Sequence, residues 1–234
     1  MGAADTSIPL IGRERERERV AAAFEKRQSL LILGPAGSGK SALIAAALAG
    51  LPDPRAVVSV PYSATLHHLL TNMASTLRVA GPARQTSVQL RGVLWKTLED
   101  EPRAIVLDGV RGGGFPAYRF LQRLYFTKGA AIIAAARGTA ALGALGRLFW
   151  DPRQTLRLAP LDEHDARSLF DVAAERFGLG HLDLEDFRTK AIEAAKGNPG
   201  ELIEMCRLAG DPIYRIGTYI KFAPLRIDVL MRFR

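Results

Sequence analysis

Leu30-Leu31-Ile32-Leu33-Gly34-Pro35-Ala36-Gly37-Ser38-Gly39-Lys40-Ser41 decides the reading of this chain. A short apolar run of buried-strand type gives way to glycines, a lysine and a hydroxyl. Ala42 to Ala49 then follows, rich in alanine and leucine with strong helix propensity. Gly34 to Ser41 fits the pattern G-x-x-x-x-G-K-[ST]. A strand that turns through glycines into a helix start aims backbone N–H groups and the positive end of the helix dipole at one spot. Glycines let the backbone approach a phosphate closely. Lys40 is placed for β- and γ-phosphates, and the Ser41 hydroxyl for Mg²⁺. The candidate binding residues are therefore Gly34, Pro35, Ala36, Gly37, Ser38, Gly39, Lys40, Ser41 and Ala42, and the implied ligand is a nucleoside triphosphate with its Mg²⁺.

The chain has 234 residues, enough for an α/β core and a small appendage. No stretch reaches the roughly 18 uninterrupted apolar residues of a membrane span. Ile8 to Leu10, followed by arginines and glutamates, is too short an apolar region for a secretory signal. The single Cys206 cannot form an internal disulfide, and His67, His68, His164 and His181 lack metal-ligand spacing. The expected home is the cytoplasm. The net charge of +8 is uneven: by count, residues 1–158 carry +10, 159–210 carry −5 and 211–234 carry +3. This asymmetry suits an anionic partner or head-to-tail subunit contacts, and a solvated arginine-rich surface equally.

Outward from the loop, residues 13–27 alternate Arg and Glu before Val20, Ala23 and Phe24 at helical spacing. Ala56 to Val60, Ala104 to Asp108, Ala130 to Ala135 and Thr155 to Leu158 read as further strands. Helices are expected over Leu66–Leu77, Val88–Leu98, Phe115–Phe126 and Ala140–Phe149. Strands alternating with helices imply right-handed crossovers and a parallel five-stranded sheet covered by helices. From Asp162, a plausible N-cap, three helices follow: to about Phe177, Leu184–Ala195 and Glu201–Ala209. The stretch 211–234, basic through Arg215, Lys221, Arg226, Arg232 and Arg234, reads as a hairpin or a docking tail. The expected organisation is an α/β core over 1–158, a small helical lid over 159–210 and a short basic C-terminal tail over 211–234.

Asp108 closes a buried strand, where a carboxylate can hold Mg²⁺ through water; the alternative is a turn aspartate before Gly109. An acid that polarises the attacking water is missing at 109, so hydrolysis should be slow unless a remote carboxylate such as Glu99 or Glu101 substitutes. Arg137, after the fourth strand, is a candidate γ-phosphate sensor, with a surface arginine in a glycine turn as the alternative. Arg147 is a candidate arginine finger toward a neighbouring subunit.

Ile11-Gly12-Arg13-Glu14-Arg15-Glu16, Leu158-Ala159-Pro160-Leu161 with Ala166-Arg167-Ser168-Leu169-Phe170, and Gly197-Asn198-Pro199-Gly200 occur in the order seen in AAA+ and STAND-type P-loop ATPases, which the chain resembles over about residues 8–210. The resemblance implies ATP, an adenine held by backbone near Leu10, Ile11 and Gly12 with Pro199 nearby, a lid that responds to nucleotide, and Arg137 as the sensor arginine of the STAND branch. Gly109, and the absence of an effector or repeat domain after the lid, depart from the family pattern. The expected function is an ATP-binding, slowly hydrolysing switch, homo-oligomeric when ATP is bound and assembling on DNA without sequence preference, as helpers of transposition and replication do. A signalling module with a separate effector chain and a scaffold that never hydrolyses are the alternatives.

Overall fold

In the computed structural model, which describes residues 8–53, 57–61, 65–100 and 104–233, the chain divides into two compact units. One comprises Arg15–Pro35 and Lys40–Leu158, the other Met1–Glu14, Ala36–Gly39 and Ala159–Arg234. Ala56, Glu101 and Arg234 lie outside the described residues, as does the side chain of Glu99.

The first unit is built on a sheet in the order β2-β3-β4-β1-β5, with β1 at Leu30–Leu33, β2 at Val57–Pro61, β3 at Ala104–Val110, β4 at Ile132–Ala136 and β5 at Thr155–Arg157. Every pairing is parallel. The central strands read as continuous apolar runs because both their faces are covered: β1 and β4 are buried at every position. The covering helices are α1 (Glu14–Glu25), α2 (Lys40–Ala49), α3 (Leu66–Thr76), α4 (Ser87–Asp100) and α5 (Phe115–Lys128). Leu69, Leu70, Met73, Leu90, Leu94 and Leu121 are fully buried beside Ile105 and Leu107 of β3. Burying a side chain of this size contributes about 1.5–3 kcal/mol.

Two local features depart from the sequence expectation. The stretch expected as a helix over Ala140–Phe149 is a tighter 3₁₀ segment, Thr139–Leu148, broken at Gly143 (φ 53°, ψ −132°). The break follows from close approach: a Cβ at Gly143 would lie 2.6 Å from the Gly113 carbonyl oxygen, and Ala144 N–H donates to that same oxygen at 2.8 Å. A continuous α-helix cannot accept that foreign loop into its ladder. Strand β3 runs past Asp108 to Val110 with a register shift against β4 between Leu107 and Val110. The extra residue is accommodated by Gly109 at φ 73°, a left-handed bulge of the kind glycine permits.

The second unit is helical: α6 (Glu163–Arg176), α7 (Leu184–Ala195), α8 (Pro199–Ala209) and α9 (Phe222–Phe233). Asp162 caps α6, its carboxylate accepting from Asp165 N–H at 2.8 Å. Helix α8 begins two residues earlier than Glu201, because Asn198 caps it, accepting from Gly200 and Glu201 N–H, and Pro199 takes the first turn. There a missing N–H costs nothing. The stretch after Gly210 holds a minimal antiparallel pair, β6 (Arg215–Ile216) with β7 (Tyr219–Ile220), and then α9. Leu225 and Val229 of α9 are fully buried in the helical core with Phe170, Met205 and Cys206. Arg226 pairs with Glu201 at 2.6 Å and donates to Ala194 O at 2.9 Å. Arg232 pairs with Glu204, and Arg215 bonds the His181 ring at 2.9 Å. These basic side chains hold the helical unit together instead of forming a loose basic tail.

Burial pushes the Cys206 thiol up to about 12. With negligible thiolate at pH 8 and no exposed sulfur, native protein is expected to resist a thiol reagent that reacts at once with unfolded protein. Rapid labelling under native conditions would show that the α8 core opens.

Candidate functional site

The loop Gly34–Ser41 leaves the carboxyl end of β1, the one strand bonded to both β4 and β5. Gly34 N–H donates to Ala136 O at 3.2 Å, which fixes the start of the loop against the end of β4. Arg137 is the next residue after β4, and Asp108 lies near the end of β3 on β4's other side. Lateral strand order therefore brings the carboxyl ends of β1, β4 and β3 into a row with Lys40, Arg137 and Asp108. Ligands of open α/β sheets bind outside such carboxyl ends.

Lys40 responds electrostatically to both partners. Burial holds its ammonium below the ordinary lysine value, Asp108 raises it and Arg137 lowers it further. Its Nζ donates to Gly34 O and Pro35 O, each at 2.7 Å, so the loop's own carbonyls hold the cation. Ser41 and Ala42, in the first turn of α2, are exposed. The Ser41 hydroxyl and the Asp108 carboxylate are hard oxygen donors of the kind Mg²⁺ prefers, so the donor set fits that ion. Arg137 is exposed.

Arg147 is exposed, and its guanidinium lies over the Phe115 ring of its own chain, 4.9 Å from the centroid. A finger role requires it to leave that ring.

Within the helical unit, the loop residues 36–39 are held by the start of α8. Asn198 Nδ2 donates to Ala36 O at 2.9 Å, and Gly200 N–H donates to Gly37 O at 2.9 Å. A Cβ at Gly37 would lie 2.5 Å from Phe233 Cε1 and 2.6 Å from Asn198 Oδ1, so only glycine fits between them. A Cβ at Gly39 would come 3.8 Å from the Pro199 ring. Leu10 and Ile11 are half-buried, Ile11 packing on the helical core, and Gly12 lies against the Asp165 carboxylate. The sequence marks Asn198 only as part of the Gly197–Gly200 motif, with a role for Pro199 alone. Asn-Pro ahead of an apolar run is nevertheless a legible helix start, and the same side chain that caps α8 grips the loop.

A family model for the AAA ATPase domain matches residues 9–182, and the chain belongs to that family. It is a nucleotide-binding ATPase domain of AAA type. Among solved structures it is similar to the Walker-type ATPase PabY2304 of Pyrococcus abyssi, with TM-score 0.62, 16% identity, and coverage of 95% of this chain and 72% of that one. It is also similar to a structure reported for katanin self-assembly, with TM-score 0.56, 14% identity, and coverage of 96% and 82%. No curated protein matches its sequence. No described helix is long and apolar enough to cross a membrane, and the described residues contain no cluster of three His, Cys, Asp or Glu side chains that could hold a metal.

Proposed function

We propose that this chain is an ATP-dependent switch of slow turnover whose helical unit acts as a lid and which assembles with itself when ATP is bound. The observation that carries the reading is the grip of Asn198 and Gly200 on Ala36 and Gly37. A loop whose carbonyls are bonded to α8 cannot rearrange around a triphosphate without disturbing α8. In this reading, nucleotide binding at residues 36–39 is felt at the start of α8, the coupling that a nucleotide switch requires.

In this reading the loop N–H groups and Lys40 bind the β- and γ-phosphates. Leu10 to Gly12 and Pro199 face the adenine, and Arg137 meets the γ-phosphate. Ser41 and Asp108 hold Mg²⁺, which when bound neutralises phosphate charge. Gly109 offers no carboxylate to orient water, which makes turnover slow. Katanin, a fold neighbour, self-assembles, and the same is proposed here, with Arg147 reaching a neighbour's nucleotide. The uneven charge suits assembly on DNA, as a helper of transposition or replication, with affinity falling steeply between roughly 50 and 200 mM salt.

Light scattering with and without ATP–Mg²⁺, repeated with duplex DNA, tests the assembly: growth with ATP supports it, and an unchanged monomer in every condition removes it. Co-purification of an effector at constant monomer size would instead favour the signalling alternative, and complete absence of turnover the scaffold. Asp108→Asn should weaken the Mg²⁺ dependence of binding by about 10-fold while nucleotide affinity without metal stays within about 2-fold, as loss of one coordinating charge would give. Unchanged Mg²⁺ dependence by calorimetry would return Asp108 to the role of a bulge residue. Turnover should lie well below the enzyme median of about 10 s⁻¹. Gly109→Glu is not expected to restore it, since a glutamate at φ 73° bears about 1–2 kcal/mol of strain.

A further inference from the structure

Helices α3, α4 and α5 leave between them a groove of about 710 Å³ within the α/β unit. Two stripes form it. On α4, Val88, Arg91, Gly92 and Trp95 stand at i, i+3, i+4 and i+7; on α5, Phe115, Arg119 and Arg123 do the same at i, i+4 and i+8. Residues at these spacings share one helix face. Val88 is 69% and Phe115 53% exposed, so apolar side chains that would ordinarily pack stand open at the groove's edge. Three arginines line it, and none of its lining residues among those described is acidic.

One of the three lining guanidiniums, that of Arg123, is held in place by an aromatic ring. Arg123 lies 4.3 Å over the Trp95 ring and Arg147 caps Phe115 from beside the groove. A guanidinium held over a ring keeps N–H donors for a carboxylate, which arginine can fork. The same stacking covers a face of each ring, which disfavours the open aromatic platform that single-stranded nucleic acid uses. The floor is opened by Gly92: a Cβ there would meet nothing within 4 Å. Glycine inside a helix is less favourable than alanine, and no close neighbour requires it here. What its missing side chain creates is room along the trough. A face running from i to i+7 or i+8 is about 11–12 Å long, two turns of a docked helix.

We propose that this groove binds an acidic amphipathic helix of a partner protein. Its apolar side chains, at i, i+3 or i+4, and i+7, fill the trough above Gly92 between Val88, Trp95 and Phe115, and its carboxylates meet Arg91, Arg119 and Arg123. None of the lining residues belongs to the loop Gly34–Ser41, and the inference does not rest on the switch reading.

The test uses the full chain carrying Trp150→Phe, which leaves Trp95 as the sole tryptophan. The probe is a synthetic 16-residue peptide with leucines at those spacings and glutamates between them, compared with the same peptide bearing lysines and with a 15-nucleotide oligodeoxythymidine. The acidic peptide should shift Trp95 emission with micromolar affinity, and the lysine peptide should bind at least about 10-fold more weakly. Arg119→Glu with Arg123→Glu should weaken the acidic peptide by about 30-fold or more. Gly92→Leu should weaken it by about 10-fold while the melting temperature stays at or above that of the parent, since leucine is the better helix former. Absence of acidic-peptide binding, equal binding of the lysine peptide, or indifference to Gly92→Leu overturns the proposal. Binding of the oligonucleotide, lost on Arg119→Glu, in place of the acidic peptide also overturns it and makes the groove a nucleic-acid site.

Discussion

Lys40→Ala is expected to reduce ATP–Mg²⁺ affinity by about 100-fold or more, with the fold intact. In the free protein Lys40 Nζ is satisfied by two neutral carbonyls, Gly34 O and Pro35 O, at 2.7 Å. Phosphate oxygens are charged acceptors, and hydrogen bonds to them are roughly twice as strong as those to neutral ones, so the cation transfers to the ligand. Removing one partner of such a charge pair costs about 2–5 kcal/mol, which sets the expected loss. Strand β1 should not notice, since it is held by Leu30, Leu31, Ile32 and Leu33, all buried in the core. Burial holds the Lys40 ammonium below the ordinary value of 10.5, and a bound polyphosphate favours the charged form. The bound-state value is then higher than the free one. Affinity is therefore greatest below the lowered free-state value and falls as pH rises through it, and Lys40→Ala should lose that decline. Calorimetric titration across pH, with circular dichroism to show folding, checks both statements. Wild-type affinity in a folded Lys40→Ala protein would remove Lys40 from the phosphate site.

The parts of this molecule that were legible in its sequence are those whose causes are local. β1 and β4 are buried on both faces, so Leu30–Leu33 and Ile132–Ala136 show as unbroken apolar runs. Asp162 announces α6 because a cap acts over three residues. The loop itself is legible for the same reason. Features set by distant residues were not. Gly143 breaks a helix only because the Gly113 backbone comes up against it, and nothing within Ala140–Phe149 signals that. The β-branched and aromatic residues from Ile227 to Phe233 suggest a strand, yet they form a helix, because Leu225 and Val229 at i and i+4 find a core made by α8. For the candidate site, the sequence indicates that one strand closes on Asp108 and another runs into Arg137, but not that β4 lies between β1 and β3. That lateral order makes Asp108 and Arg137 electrostatic neighbours of Lys40. Nor could spacing show that Asn198, a cap, also holds Ala36.

Truncation after Gly210 is expected to unfold the helical unit rather than remove a dispensable basic appendage. Helix α9 supplies Leu225 and Val229, both fully buried, worth about 1.5–3 kcal/mol each. It also supplies Phe222, whose ring sits 6.3 Å from Phe187. Its loss strips cover from Met205 and Cys206 and leaves Glu201 without the Arg226 partner at 2.6 Å. The summed loss is of the order of 5 kcal/mol, comparable to the whole stability of a small domain. The expected signature is twofold: Cys206, protected in the full chain, reacts with a thiol reagent at pH 8 at close to the unfolded rate, and the helical signal falls by more than the twelve residues of α9 account for. A gentler variant separates packing from chain length, since Val229→Asp leaves the chain complete and buries an unpaired carboxyl among Phe170, Met205 and Leu225. It should produce the same Cys206 exposure. Any loss of DNA affinity in the truncated protein would then reflect the state of the helical unit, because Arg215, Arg226 and Arg232 already bond within it. If Cys206 stays protected after truncation, α9 is a docked appendage, and the helical core stands on α6, α7 and α8 alone.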